Sequence, residues 1–136
     1  MYLLDTNVLS HAMRRRPPAS LADRLRRHAS DTLFTSCICV MELRHGAMRR
    51  PDHGGLWARI QEEVLSRIEV LGVGLDEALL AGDAMAHLWS RGQVIDIEDI
   101  LIGATALARN LIVVTNNVDH FRRIPRLHVE DWTAEV

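Results

Sequence analysis

The sequence contains no lysine. A receiver-like domain, or a phosphatase of the haloacid dehalogenase type, needs a lysine near its acids, so both are disfavoured. All 16 fixed positive charges are Arg. Arg suits bidentate contacts to phosphate, although a GC-rich genome that favours Arg codons would give the same bias. Cysteine is scarce, with only Cys37 and Cys39. A disulfide between residues so close in sequence would be strained. No Cys/His spacing suits a zinc finger, so both thiols read as small buried hydrophobes. No apolar run approaches the roughly 20 residues of a membrane helix. The opening Met-Tyr-Leu-Leu-Asp lacks the basic stretch and long apolar segment of a signal peptide, so a cytoplasmic location is expected. Repeats, low-complexity tracts and long linkers are absent, which leaves residues 1–136 as one expected domain.

A large net charge is also missing. The formal value is −2, which does not announce a nucleic-acid binder. The distribution is uneven: residues 1–51 carry a net of +5 and residues 52–136 a net of −7. Hydrophobic residues make up 48% of the chain, the profile of an ordinary globular protein.

Apolar runs and turn residues mark out alternating strands and helices. Strands are expected at 2–4, 32–35, 68–71, 111–115 and 127–129. Helices are expected at 8–13, 21–28, 37–49 with Ser36 as N-cap, 56–66, 76–90 closed by Gly92, and 97–109 ending at Asn110. Pro51-Asp52-His53-Gly54-Gly55 reads as a loop, and 116–121 as a turn or a single helical turn. This alternation predicts an α/β fold, a three-layer αβα sandwich around a mostly parallel sheet. In such sheets sites form beyond the carboxyl ends of the strands. Asp5-Thr6-Asn7 follows the first strand, and Thr115-Asn116-Asn117 with Asp119 follows the fourth.

Asp5 ends a buried strand and needs either a cation or several donors there, or else it caps the following helix. Glu42 lies beside Cys39 by helical periodicity; the plainer alternative is a surface glutamate paired with His45. Asp99 opens a long apolar helix, where an acid also complements the helix dipole. Asp96 and Glu98 crowd the same turn, and three acids in four residues repel one another unless a cation or the helix terminus compensates. Gly103 suggests a helix pressed close to the sheet. No one of these acids is specific. Together, as hard oxygen ligands on separate elements, they suit Mg²⁺ or Mn²⁺.

The chain resembles PIN-domain ribonucleases, and in particular VapC toxins of toxin–antitoxin pairs. The resemblance is carried by Tyr2-Leu3-Leu4-Asp5-Thr6-Asn7-Val8-Leu9, Glu42-Leu43-Arg44-His45-Gly46-Ala47 and Asp99-Ile100-Leu101-Ile102-Gly103-Ala104. It continues through Val114-Thr115-Asn116-Asn117, Phe121 and Glu130-Asp131-Trp132. It implies Asp5, Glu42 and Asp99 as catalytic acids, with Asp5 and Asp99 binding the metal most directly and Glu42 directly or through water. Thr6 would orient Asp5 or contact phosphate, and Thr115 and Asn117 would support the site. Some members carry an acid where this chain has Asn117. Asp119 is displaced from that position by two residues, and Asp96 is a further candidate. One metal ion is therefore expected, with a second arriving only with RNA.

The implied reaction is RNA hydrolysis by a metal-activated water, leaving a 3′-hydroxyl and a 5′-phosphate on single-stranded or looped RNA. Basic residues must line an acidic site that receives phosphate. Arg14, Arg15, Arg44 and Arg49 are the first candidates, with Arg16, Arg26, Arg27, Arg50, Arg122 and Arg123 behind them. The resemblance also implies a VapB-like antitoxin that inserts a peptide into the groove, operator DNA binding through that antitoxin, and homodimers or a toxin–antitoxin hetero-oligomer. Met13, Met41 and Met48 belong either to such a dimer surface or to the core. A DNA nuclease or RNA-processing enzyme of the same fold is one alternative. The other is a non-catalytic binding domain, which would be expected to have lost one of the three acids.

Overall fold

A computed structural model describes residues 1–134 of the chain. Glu135 and Val136, the last residues of the expected 1–136 domain, lie outside the described residues. Five strands form one sheet: β1 (Tyr2–Leu4), β2 (Leu33–Ser36), β3 (Glu69–Leu71), β4 (Ile112–Val114) and β5 (Val129–Glu130). The order is β3-β2-β1-β4-β5 and every pairing is parallel, so the sheet is wholly rather than mostly parallel. Each crossover carries a helix or a long loop over one face, as parallel pairing requires.

Among the described residues, seven α-helices flank the sheet: α1 (Thr6–Ala12), α2 (Ala19–Arg27), α3 (Cys37–Met48), α4 (His53–Ile60), α5 (Leu75–Ser90), α6 (Ile97–Arg109) and the single turn α7 (Val118–Phe121). The alternation of side chains along β1 and β4 divides the core in two. Leu3 and Val113 face Ala81, Ala84 and Leu88 of α5 and Ile100 and Ile102 of α6. Leu4 and Val114 face Val8 of α1, Leu21 of α2, Leu43 of α3 and Ile60 of α4, with Trp132. Both sheet faces are covered, which is why β1 and β4 read as unbroken apolar runs.

Several boundaries depart from expectation, among them α2, which begins at Ala19 rather than at residue 21, and β5, which begins at Val129 rather than at residue 127. α1 begins at Thr6, two residues before Val8, because Asp5 caps it by accepting from Thr6 N at 2.8 Å. α4 begins at His53 and takes in Gly54 and Gly55, which were expected to lie in a loop. Packing of Leu56, Trp57 and Ile60 into the core outweighs the weak helix preference of two exposed glycines. The same helix runs on through a π turn at Gln61–Leu65. Asn110 closes α6 in the left-handed conformation at φ 55°, and Gly92 follows α5 at φ 65°.

β1 is the point at which the winding of the sheet reverses, with β2 on one side and β4 on the other. Crevices beyond the strand ends open at such points. Leu4 pairs with Val114, so Asp5 and Thr115 leave the sheet side by side. Gly103 lets α6 approach the segment after α7. A Cβ there would lie 2.6 Å from Ile124 Cδ1 and 3.3 Å from Leu127 Cδ2, and Ile124 is itself buried. Gly103→Val should therefore destabilise the fold by about 1–3 kcal/mol through overpacking. Denaturant unfolding measures this, and an unchanged midpoint would contradict the close approach.

Candidate metal centre

Asp5 is 4% exposed, yet carries no Arg partner. Its carboxylate is held by neutral donors. Thr6 N donates to Oδ1 at 2.8 Å, Thr115 Oγ1 to Oδ2 at 2.7 Å, and Asn7 Nδ2 to Oδ2 at 3.3 Å. Burial raises the Asp5 pKa; the Thr115 and Thr6 hydrogen bonds pull it back, and the Asp99 charge raises it again.

Thr6 bridges two acids. Its backbone caps onto Asp5, and its hydroxyl donates to Glu42 Oε1 at 2.7 Å. The expected alternative partner of Glu42, His45, does not take that role. Burial raises the Glu42 pKa; the Thr6 bond opposes this, while the charges of Asp5, Glu98 and Asp96 add to it. Ligand atoms of Asp5, Cys39 and Glu42 lie within 4.8 Å of one another. The Cys39 thiol is pushed up to about 12, first by burial and then by the Asp5 charge, so it stays protonated and neutral beneath the carboxylates. Cys39 is buried as expected, whereas Cys37 is only half-buried.

Asp99 enters from the first turn of α6. Asn117 Nδ2 donates to its Oδ2 at 3.1 Å, and His120 Nδ1 lies 3.3 Å from the same oxygen. Asn117 Nδ2 and His120 Nδ1 are themselves 2.9 Å apart. Burial raises the Asp99 pKa; His120 lowers it, and Asp96 and Glu42 raise it. The loop after β4 is tied to α1, since Asn116 N donates to Asn7 Oδ1 at 3.2 Å, and within that loop Asn117 N donates to Thr115 Oγ1 at 2.9 Å.

The structure thus brings together Asp5, Thr6, Glu42, Asp99, Thr115 and Asn117. Asp96 is exposed at the α6 N-terminus and reaches Glu42 and Asp99 only through its charge. Asp119 is exposed on α7 and is not among the charges acting on the three carboxyls. Two grooves flank Glu42. Arg14 lines one and Arg49 the other, while Arg15 lines neither. Arg44 stacks on Trp57 with its guanidinium carbon 4.8 Å from the ring centroid. His120 was missed by sequence reasoning, and Asn7, placed in the polar cluster after the first strand, was given no role. The signal for His120 was its place three residues after Asn117, on the same side of one helical turn.

Asp5, Glu42 and Asp99 converge, with Glu98 and the exposed Asp96 adding negative charge, and among the described residues only His120 forms an ion pair with any of the first three. The donors are hard carboxylate oxygens with an uncompensated negative potential. This set fits a divalent cation of the Mg²⁺ or Mn²⁺ type.

The PIN domain family matches over residues 2–127. The chain belongs to the PIN-domain family. It is 33% identical over 131 residues to Ribonuclease VapC2 of Haemophilus influenzae, covering 96% of this chain and 97% of that protein. It is 32% identical over 133 residues to the tRNA(fMet)-specific endonuclease VapC of Salmonella typhimurium, covering 96% and 97%. Its fold superposes with a TM-score of 0.88 on a chain of VapBC2 from Rickettsia felis bound to a DNA fragment from their promoter. That match is 30% identical and covers 96% of this chain and 98% of the other. This PIN-family chain therefore lies close to VapC proteins along nearly its whole length. Among its described residues, no helix is long and apolar enough to cross a membrane.

The three raised carboxyl pKa values carry a sign. The folded state holds these protons more tightly than the unfolded chain, so the contribution of these groups to stability falls as pH rises above the ordinary carboxylate range. Glu42→Gln keeps the acceptor for Thr6 and removes one charge. The metal-free variant should melt higher than its parent at neutral pH, and the difference should vanish towards about pH 4. A variant that melts lower at neutral pH in EDTA would contradict the electrostatic account.

Proposed function

We propose that this chain is a divalent-metal-dependent endoribonuclease acting in the cytoplasm as the toxin of a VapBC-type toxin–antitoxin pair, with residues 1–136 forming one PIN domain. The observation that carries the reading is the convergence of Asp5, Glu42 and Asp99 at the β1–β4 crevice without an Arg counter-ion.

Asp5 and Glu42 on one side, and Asp99 on the other, are the residues that would hold Mg²⁺ or Mn²⁺. The bound ion would supply charge neutralisation at the phosphodiester and a water of lowered pKa. Thr6 sets the spacing between Asp5 and Glu42 by bonding both. Thr115 fixes the second oxygen of Asp5, and Asn117 and His120 fix Oδ2 of Asp99. Asn117 occupies the fourth position with an amide donor and brings no charge, so one tightly held ion is the reading that the residues support. Arg14 and Arg49 stand on the groove walls, where they would draw a phosphate backbone towards an acidic centre that would otherwise repel it.

Magnesium should support cleavage of a total RNA pool, and EDTA should abolish it. Asp5→Asn and Asp99→Asn should each lower the rate on the order of 10²-fold or more, the scale of losing transition-state charge stabilisation. Cleavage that survives both chelation and substitution would sink the mechanism.

A VapB-like antitoxin is the proposed partner, and promoter DNA would be engaged through it. A homodimer is supported by the outer face of α5. Leu75, Leu79 and Trp89 form an apolar stripe there, at 75%, 60% and 81% exposure, extended by the exposed Val94 and Ile97. By contrast Met41 and Met48 are exposed on α3, and Met13 is partly buried against the core. Leu79→Asp with Trp89→Asp should convert a dimer to a monomer by light scattering. A monomeric parent would remove this part of the proposal.

A further inference from the structure

Thr6, Glu42 and Gly46 line both grooves beside the metal centre. The first groove, of about 330 Å³, lies between α1, α3 and α4. Its floor is apolar, with Met13, Leu43 and Leu56, and its rim carries Arg14, Arg50 and Arg59. The second, of about 440 Å³, runs along the other side of α3 past His45, Arg49 and Glu98. The two meet over Gly46, one helical turn beyond Glu42.

Gly46 has no packing reason to be glycine. A Cβ at that position would meet nothing within 4 Å, and the residue is exposed in the last turn of α3. Glycine weakens a helix there relative to alanine. What its missing side chain does provide is an open floor where the two grooves join, next to Glu42.

Charge selects the occupant. Among the described residues, Arg14 makes no ion pair, and Arg50 reaches only the exposed Asp52 at 3.9 Å. Arg59 is engaged by Glu63 at 3.3 Å. Among the described residues, Arg14 on the first groove and Arg49 on the second make no ion pair, which favours an anionic chain over a basic peptide. The apolar floor adds a surface for the face of an unstacked base, and the volume lies within the range of roughly 300–1,000 Å³ that holds small ligands.

We propose that a single-stranded RNA crosses α3 over Gly46, with the base flanking the scissile phosphate seated in the α1–α3–α4 groove and its phosphates on Arg14 and Arg50. This rests on the ribonuclease reading above and deepens it, by naming a base subsite and the residue that keeps its entrance open.

The test is binding of a fluorescein-labelled, mixed-sequence single-stranded RNA oligonucleotide in EDTA, followed by anisotropy, beside cleavage kinetics in Mg²⁺. Gly46→Ala and Gly46→Leu should both fold with melting temperatures at or above the parent's, since each is a better helix former. Affinity should fall with side-chain size, by about tenfold or more for leucine, with KM rising by a similar factor and kcat moving less. Arg50→Ala should weaken binding and flatten its salt dependence. Well-folded Gly46→Leu protein with the parent's Kd and KM would overturn the crossing while leaving the ribonuclease reading intact. Unchanged RNA binding with lost binding of an Arg-containing antitoxin peptide would give the groove to the peptide and also overturn it. A parent that neither binds nor cleaves RNA would overturn both.

Discussion

A carboxylate is buried at the end of the central strand, and the surrounding structure is arranged around that cost. An unpaired buried ion is expensive, and Asp5 has no arginine to meet it. It is held instead by a backbone amide and an asparagine amide from the first turn of α1 and by a threonine hydroxyl from the loop after β4. These donors reach it because the parallel register aligns Leu4 with Val114. They moderate the cost without cancelling it, since the pKa stays raised. A site that remains short of positive charge after every internal donor is spent is complementary to an external cation.

The same shortage spreads outwards. Glu42 and Asp99 are each raised by burial first and by neighbouring acids afterwards; Thr6 steadies the one, and Asn117 with His120 the other. Like charges at close range work against the fold. Two apolar clusters, one on each face of the sheet, supply the stability that permits the arrangement. Function and stability pull in opposite directions here, as is usual where a fold carries a binding site.

Around the acidic centre the surface changes character. Arg14, Arg49 and Arg50 stand along grooves that meet beside Glu42, and Gly46 keeps their junction open at some cost to helix stability. On α5, large apolar side chains face solvent. The acidic centre and its arginine walls suit a polyanion brought to a metal, while the α5 face suits an apolar partner.

The strand runs at β1 and β4, the Ser36 cap and the Asn110 terminus were readable because they rest on local chemistry: apolar burial, a side chain reaching its own helix, a left-handed cap. The acids Asp5, Glu42 and Asp99 could also be named, because a family resemblance ordered them along the chain. Local chemistry misjudged Gly54 and Gly55, whose helical state depends on the packing of Leu56, Trp57 and Ile60 against the core. It gave His120 only a place one helical turn from Asn117, with nothing to show that α6 will present Asp99 to it. Nor did it separate Arg14 and Arg49, on the groove walls, from Arg44, which is drawn onto Trp57. The sequence by itself determined which residue types were available for an acidic metal site and where strands would end. Only the tertiary structure decided which of them meet, because contacts between residues as distant as Asp5 and Thr115 depend on strand order and register, and no local propensity encodes these.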